Sequence, residues 1–255
     1  MSSGTSSSDA PTSPGSGTGS SATSSATSSA KKAAPAFGAE RLLIVGTGAL
    51  AVMHLPFWMN WLQANYPELD VQITLTRSAE RFVSREGLSA IGGRRVIADS
   101  WPTEPETEAL HVRLAEWPEA VAVYPASMDF VSRLATGAAN TPVLSALQCT
   151  RAPIVVAPSL PPRAEHNPSL RENLRRLGER PGMAVAPGQA GRSSTTGGET
   201  LTAPPLWEVI RLLERERQAL TDPPGSGTDA DGTGADAADG TSTAGERPAA
   251  VSAVA

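Results

Sequence analysis

Between residues 41 and 186 the chain alternates short apolar runs with longer stretches whose apolar residues recur every three or four positions. That alternation demands a parallel sheet, because each parallel strand return needs a crossover and a helix is what fills it. The first run, Arg41-Leu42-Leu43-Ile44-Val45, ends in Gly46-Thr47-Gly48 and reads as a buried strand entering a tight turn. Leu50, Met53, Phe57, Trp58, Trp61 and Leu62 then make one apolar stripe, in a helix that Pro56 must kink or delay. Val71 to Thr76 is the second strand, with Ser78 placed to cap a short helix through Phe82. Further strands fall at Arg95 to Ala98, Ala120 to Tyr124, Ala152 to Ala157 and Met183 to Ala186. Ser127 is placed to cap a helix carrying Val131, Leu134 and Ala135. Another helix spans Pro168 to Leu177, with Arg171, Arg175 and Arg176 on its solvated face. A Gly/Ser/Thr-rich loop from Pro187 to Ala203 leads to a last helix with Leu206, Val209, Ile210, Leu213 and Leu220 on one side.

The predicted fold class is therefore α/β: one flavodoxin- or Rossmann-like doubly wound parallel sheet with helices on both faces. Residues 39–222 form this domain, a length that buries roughly 70% of the unfolded surface. Residues 1–38 and 223–255 read as tails. Eighteen of the first thirty residues are Ser or Thr, and neither end carries the apolar side chains that offset ordering entropy.

A net charge of −5, with no Lys/Arg cluster interleaved with aromatic residues, argues against a nucleic-acid partner. No segment approaches about eighteen consecutive apolar residues, and no basic region precedes an apolar run at the start. The expectation is a cytoplasmic protein with no membrane association. The single cysteine, Cys149, is expected to be a small buried apolar side chain.

In such a sheet ligands bind beyond the carboxyl ends of the strands, where loops lead into helix N-termini with free N–H groups. Four strand ends are rich in small, hydroxyl or proline residues. They are Gly46-Thr47-Gly48-Ala49, Thr76-Arg77-Ser78, Pro125-Ala126-Ser127-Met128 and Pro158-Ser159-Leu160-Pro161. The first two suit a phosphate. Gly46-x-Gly48 is compatible with a nicotinamide cofactor or with an ordinary strand-to-helix turn, and Ala51 at the third glycine position favours the turn. His111 follows an acidic, loop-like stretch and is either a proton-moving imidazole near pH 7 or a structurally bonded one. His54 reads as helix packing and His166 as a loop residue.

Several segments, taken in order, resemble the flavin-dependent cysteine decarboxylases, the family of phosphopantothenoylcysteine decarboxylase and of the lantibiotic peptide decarboxylases of the epidermin type. Gly48-Ala49-Leu50-Ala51, with Pro56 beyond it, is similar to that family's Gly-Ser-Ile-Ala opening. Thr76-Arg77-Ser78-Ala79-Glu80-Arg81-Phe82-Val83 resembles Thr-x-x-Ala-x-x-Phe-Val, and Leu110-His111-Val112-Arg113-Leu114 the segment with the catalytic histidine. Pro125-Ala126-Ser127-Met128-Asp129-Phe130 resembles the peptide decarboxylases' Pro-Ala-Ser-Ala-Asn-Thr. Arg133 to Asn140 resembles the Lys-Leu-Ala-x-Gly-Ile-Ala-Asp that follows it, and Asn167 to Leu174 the family's later His-Pro-Ala-x-x-x-Asn-Leu helix. The chain departs from the pattern at Pro161, where the family asparagine contacts the substrate carboxylate. It departs again at Met128-Asp129-Phe130 and at Asn140-Thr141, where Asp-Asn is usual.

What the resemblance implies is FMN at the strand ends, held by Gly46, Thr47, Gly48, Ala49, Thr76, Ser78, Phe82, Pro125, Ala126, Ser127, Met128 and Asn140. His111 would be catalytic, and Pro158, Ser159, Leu160 and Pro161 would meet the substrate. It further implies oxidative decarboxylation of the C-terminal cysteine of a precursor peptide to an enethiol, by a homotrimer or homododecamer. Phosphopantothenoylcysteine decarboxylation, or a non-catalytic FMN-binding regulatory role, are the alternatives. The 187–203 loop is either a clamp over the peptide end or an ordinary flexible loop.

Overall fold

The computed structural model describes residues 34–104, 107–193 and 196–221; of the tails expected at 1–38 and 223–255, residues 1–33 and the whole of the second lie outside the described residues. Six strands build one parallel sheet: β1 (Arg41–Gly46), β2 (Asp70–Leu75), β3 (Ile97–Ala98), β4 (Ala120–Ala126), β5 (Ile154–Pro158) and β6 (Met183–Val185). Their order is β3-β2-β1-β4-β5-β6, the doubly wound Rossmann arrangement, with the topological switch point between β1 and β4.

Covering both faces explains why the strands are continuous apolar runs. Successive side chains of β1 point to opposite sides, so Leu42 and Ile44 enter one core and Leu43 and Val45 the other. The first core is closed by α1 (Leu55–Asn65), α2 (Arg85–Gly92) and α7 (Leu206–Thr221). The second is closed by α3 (Leu110–Glu116), α4 (Met128–Ala135), α5 (Pro142–Cys149) and α6 (Pro168–Gly178). Each fully buried Leu, Ile or Val contributes about 1.5–3 kcal/mol.

Pro56 delays the first helix. Residues Leu50–His54 form a 3-10 turn, and α1 starts at Leu55 with Pro56 in its first turn, where a missing N–H leaves no bond unmade. The tighter turn rotates Leu50 and Met53 outward, and Phe57 is 59% exposed. The buried stripe is Val52, Leu55, Trp58, Met59 and Leu62: Trp58 and Leu62 are buried as expected, with Val52, Leu55 and Met59 in place of Leu50, Met53 and Phe57. Ser78 makes no capping bond, and Ala79–Arg81 is a 3-10 turn only. The cap that works is Ser84, whose Oγ accepts the Gly87 N–H at 3.1 Å to start α2. β3 shrinks to two residues because side chains claim the backbone ahead of it. Ser89 Oγ accepts the Val96 N–H, and the Gln72 amide donates to the Arg95 carbonyl.

Cys149 closes α5 in an exposed position, not a buried one, and Leu220 of α7 is also exposed. Arg175 and Arg176 do lie on a solvated face, each paired with Glu172. Residues 187–203 are not a plain loop: β7 (Gln189–Arg192) and β8 (Glu199–Thr202) form an antiparallel hairpin. The Leu160 N–H donates to the Leu201 carbonyl at 2.9 Å, and the Thr200 hydroxyl donates to the Leu160 carbonyl at 2.6 Å, so the hairpin is pinned to the loop after β5. Ahead of residue 39, Pro35 accepts a bond from the Tyr66 hydroxyl, and the Gly38 N–H donates to Glu214. Among the described residues no helix is long and apolar enough to cross a membrane.

Candidate active site

At the carboxyl rim, the loops after β1, β2, β4 and β5, together with the hairpin, enclose a cleft of about 900 Å³, within the range of cofactor sites. Ten of the residues singled out from the sequence stand on its wall: Thr47, Gly48, Ala49, Thr76, Ser78, Ser127, Met128, Ser159, Leu160 and Pro161. Others support the wall from behind. A Cβ on Gly46 would meet the Leu75 side chain at 2.6 Å, so this glycine lets β1 pack against β2. Pro125, Ala126 and Pro158 are strand residues whose backbones carry the loops.

Two contacts fix the loops to each other. The Thr47 side chain is 1% exposed; its hydroxyl donates to the Pro125 carbonyl at 2.6 Å and accepts the Ser127 N–H at 2.7 Å. That hydroxyl is fully committed to bracing β1 against β4 at the switch point. A Cβ on Gly48 would lie 2.5 Å from the Ser78 Cβ, so the loops after β1 and β2 touch through the one residue without a side chain. The Ser78 hydroxyl has no hydrogen-bond partner among the described residues and lines the cleft. Ser127 caps α4 by accepting the Phe130 N–H at 3.4 Å, aiming that helix's N-terminus at the cleft.

Phe82, Asn140 and His111 stand outside the cleft wall. Phe82 is 43% exposed on the protein surface. Asn140 acts one step back: its Oδ1 accepts from the guanidinium of Arg133, which does line the cleft, at 2.7 Å. The Asn140 carbonyl accepts from Trp101 Nε1 at 3.2 Å, and the Trp101 ring packs edge-on against His111 at 5.5 Å. His111 sits in the first turn of α3, not in the expected loop. Because α3 runs from the carboxyl end of β3 back to the start of β4, this puts His111 at the same rim. Its Nδ1 is buried without a hydrogen-bond partner among the described residues.

Among the wall residues that were not foreseen are Asp99 and Arg192. Asp99, at the end of β3, accepts the Val143 N–H at 3.0 Å, and burial pushes its carboxyl above the ordinary 3.8 against the pull of Val143, Thr141 and Arg133. The pair Thr141-Pro142, an N-cap followed by proline, is the overlooked signal for α5, which carries both bonding partners. Arg192 reaches the wall only through the hairpin, and nothing local announces it. His54, expected to pack inside a helix, is exposed on the wall, and His166 is exposed beside Glu165.

Residues 34–202 match the family model described as Flavoprotein. The chain belongs to the flavoprotein family. This flavoprotein is 34% identical over 150 residues to the cypemycin cysteine dehydrogenase (decarboxylating) of Streptomyces sp., a match covering 59% of this chain and 77% of that protein. It is also 34% identical over 110 residues, 43% of this chain, to the coenzyme A biosynthesis bifunctional protein CoaBC of Haemophilus influenzae. There the match spans only 28% of the relative's length. Among solved structures, the crystal structure of the cypemycin decarboxylase CypD superposes with a TM-score of 0.60 at 28% identity, covering 72% of this chain and 97% of that one.

Proposed function

We propose that this flavoprotein binds FMN and oxidatively decarboxylates the C-terminal cysteine of a ribosomally made precursor peptide, giving an enethiol for aminovinyl-cysteine formation. The observation that carries the reading is a carboxyl-rim cleft whose loops meet at Gly48 and Ser78, in a chain 34% identical to a decarboxylating cysteine dehydrogenase. The residues fit the cofactor: Thr76, Ser78 and the Gly48 backbone suit its phosphate, and the capped start of α4 at Ser127 and Met128 suits its ring. Thr47 holds these loops in place, with Gly46, Ala49, Pro125 and Ala126 as their supports. Asn140 serves through Arg133, and Phe82 closes the site only in an assembled oligomer.

FMN held by Thr76, Ser78 and the Gly48 backbone would supply the hydride acceptor needed for oxidation at the cysteine β-carbon. His111 takes the thiol proton, for which its partnerless Nδ1 leaves the imidazole free to choose a tautomer. The thioaldehyde so formed draws to its sulfur the electron pair left on Cα when carbon dioxide departs, and protonation gives the enethiol. Ser159, Leu160 and Pro161 flank the peptide end, whose backbone the pinned hairpin keeps beside them. Since His111 stands off its own chain's cleft wall, a homotrimer or a homododecamer built from trimers completes the site, covering the exposed Trp101 and Val112 beside it. The reaction belongs in the cytoplasm, where such a peptide is made.

Similarity to the bifunctional coenzyme A protein supports phosphopantothenoylcysteine as a second candidate substrate. Purified protein is incubated with each substrate, and products are weighed by mass spectrometry. Loss of carbon dioxide and two hydrogens from the peptide is expected, and His111→Asn is expected to keep flavin absorbance while turnover falls by at least 10²-fold. Turnover of phosphopantothenoylcysteine alone, or an unaffected His111→Asn enzyme, would refute the respective part.

A further inference from the structure

We infer that Arg192, at the end of hairpin strand β7 and on the cleft wall, binds the terminal carboxylate of the peptide substrate; the inference rests on the decarboxylase reading. Three arginines line the cleft: Arg77, Arg133 and Arg192. Arg133 is already committed, donating to Asn140 and lying 3.5 Å from the Asp129 carboxylate. Arg77 stands between Thr76 and Ser78 at the end of β2, where the loop meets Gly48, and so belongs to the phosphate end. Arg192 is left for the other end.

Its guanidinium is held but not used up. Nε donates to the Gly197 carbonyl at 3.0 Å, at a turn where Gly197 has φ 68°, and the two terminal nitrogens have no partner among the described residues. A planar fork with both ends free is the geometry that takes a carboxylate through two parallel N–H bonds. Its place is also fixed, since β7 is paired with β8, and β8 is bonded twice to Leu160. Pro161 and Pro162 on the cleft wall offer no N–H of their own, so the loop after β5 lacks a backbone donor at these positions where the peptide end would lie. Glu199 is the cross-strand neighbour of Arg192, yet makes no ion pair with it among the described residues.

As carbon dioxide departs, negative charge leaves the carboxylate, so a contact to it acts on substrate binding more than on the chemical step. The test uses one peptide sequence ending in cysteine either as the free acid or as the carboxamide, with binding read by fluorescence anisotropy on wild type, Arg192→Gln and Arg192→Lys. Wild type is expected to prefer the acid about tenfold, equivalent to about 1.4 kcal/mol. Arg192→Gln is expected to bring the ratio to about one with carboxamide affinity unchanged, and to raise KM while kcat holds. Arg192→Lys, which keeps the charge and loses the fork, falls between. An acid preference undiminished in Arg192→Gln, in an enzyme whose wild type decarboxylates the acid peptide, overturns Arg192 alone. A wild type that neither binds nor converts the acid peptide overturns the decarboxylase reading and this inference with it. If Arg192→Gln loses carboxamide binding too, the hairpin is disturbed, and Arg192→Lys decides: with carboxamide affinity kept, an acid preference smaller than the wild type's supports the assignment, and an undiminished one refutes it.

Discussion

Thr47→Val changes shape hardly at all and removes a single hydroxyl, yet that hydroxyl joins two strands at the switch point. Thr47 Oγ1 donates to the Pro125 carbonyl at 2.6 Å and accepts the Ser127 N–H at 2.7 Å, across 78 and 80 residues of chain. Valine leaves both backbone groups without a partner. The Pro125 carbonyl is buried and bears the orphan penalty of about 1–3 kcal/mol, whereas the half-buried Ser127 N–H can turn to water and loses about 1 kcal/mol. The sum is a destabilisation of about 2–4 kcal/mol, which for a domain of this size lowers Tm by roughly 6–12 °C. Thr47→Ser keeps both bonds and loses one methyl, for about 1 kcal/mol. Urea titration of the three proteins, followed by tryptophan fluorescence, measures the difference. A Thr47→Val protein as stable as Thr47→Ser would refute the argument that the brace is a hydrogen-bonded one.

Gly48→Ala places a Cβ 2.5 Å from that of Ser78. The Ser78 turn must shift, at about 1–3 kcal/mol, and FMN affinity, read by quenching of flavin fluorescence, is expected to fall at least tenfold. Gly48→Ala/Ser78→Gly removes the collision and is expected to recover the lost stability in urea titration, while FMN affinity stays low because the Ser78 hydroxyl is gone; no recovery of stability would place its cause elsewhere. Asp99→Asn tests the buried carboxyl. Because burial holds its pKa above the unfolded 3.8, the folded state binds this proton more tightly, and wild-type stability falls as pH rises from 3.8 through the folded value. Asp99→Asn lacks that fall, so the stability difference between the two proteins must change across this window; a difference independent of pH in denaturant titrations would contradict it.

The sheet was legible because its signals are local. An apolar run such as Arg41 to Val45 needs only a β-compatible backbone and two covered faces, and Ser127 and Asn167 announce their helices by caps that close within three residues. The same locality misled at Pro56. Spacing alone placed Leu50, Met53 and Phe57 in the core, but the 3-10 turn changes the angular step before α1 begins, and those side chains point out. Residues 187–203 read as a loop because four glycines, at 188, 191, 197 and 198, and the lack of alternating apolar residues hide the strand signal. The hairpin exists through its pairing and through two bonds to Leu160, some 40 residues earlier.

By itself the sequence determined the class of fold, the rim at which a ligand enters and most of the cleft's strand-end residues, since all three follow from where apolar runs stop. Tertiary structure decided the roles within that rim: Thr47 as brace, Asp99 and Arg192 on the wall, Asn140 behind Arg133, His111 against Trp101. The physical reason is range. Strand and helix preferences are set among residues a few positions apart, whereas which polar groups meet, and which are left without partners, is settled by contacts that only the folded chain brings together.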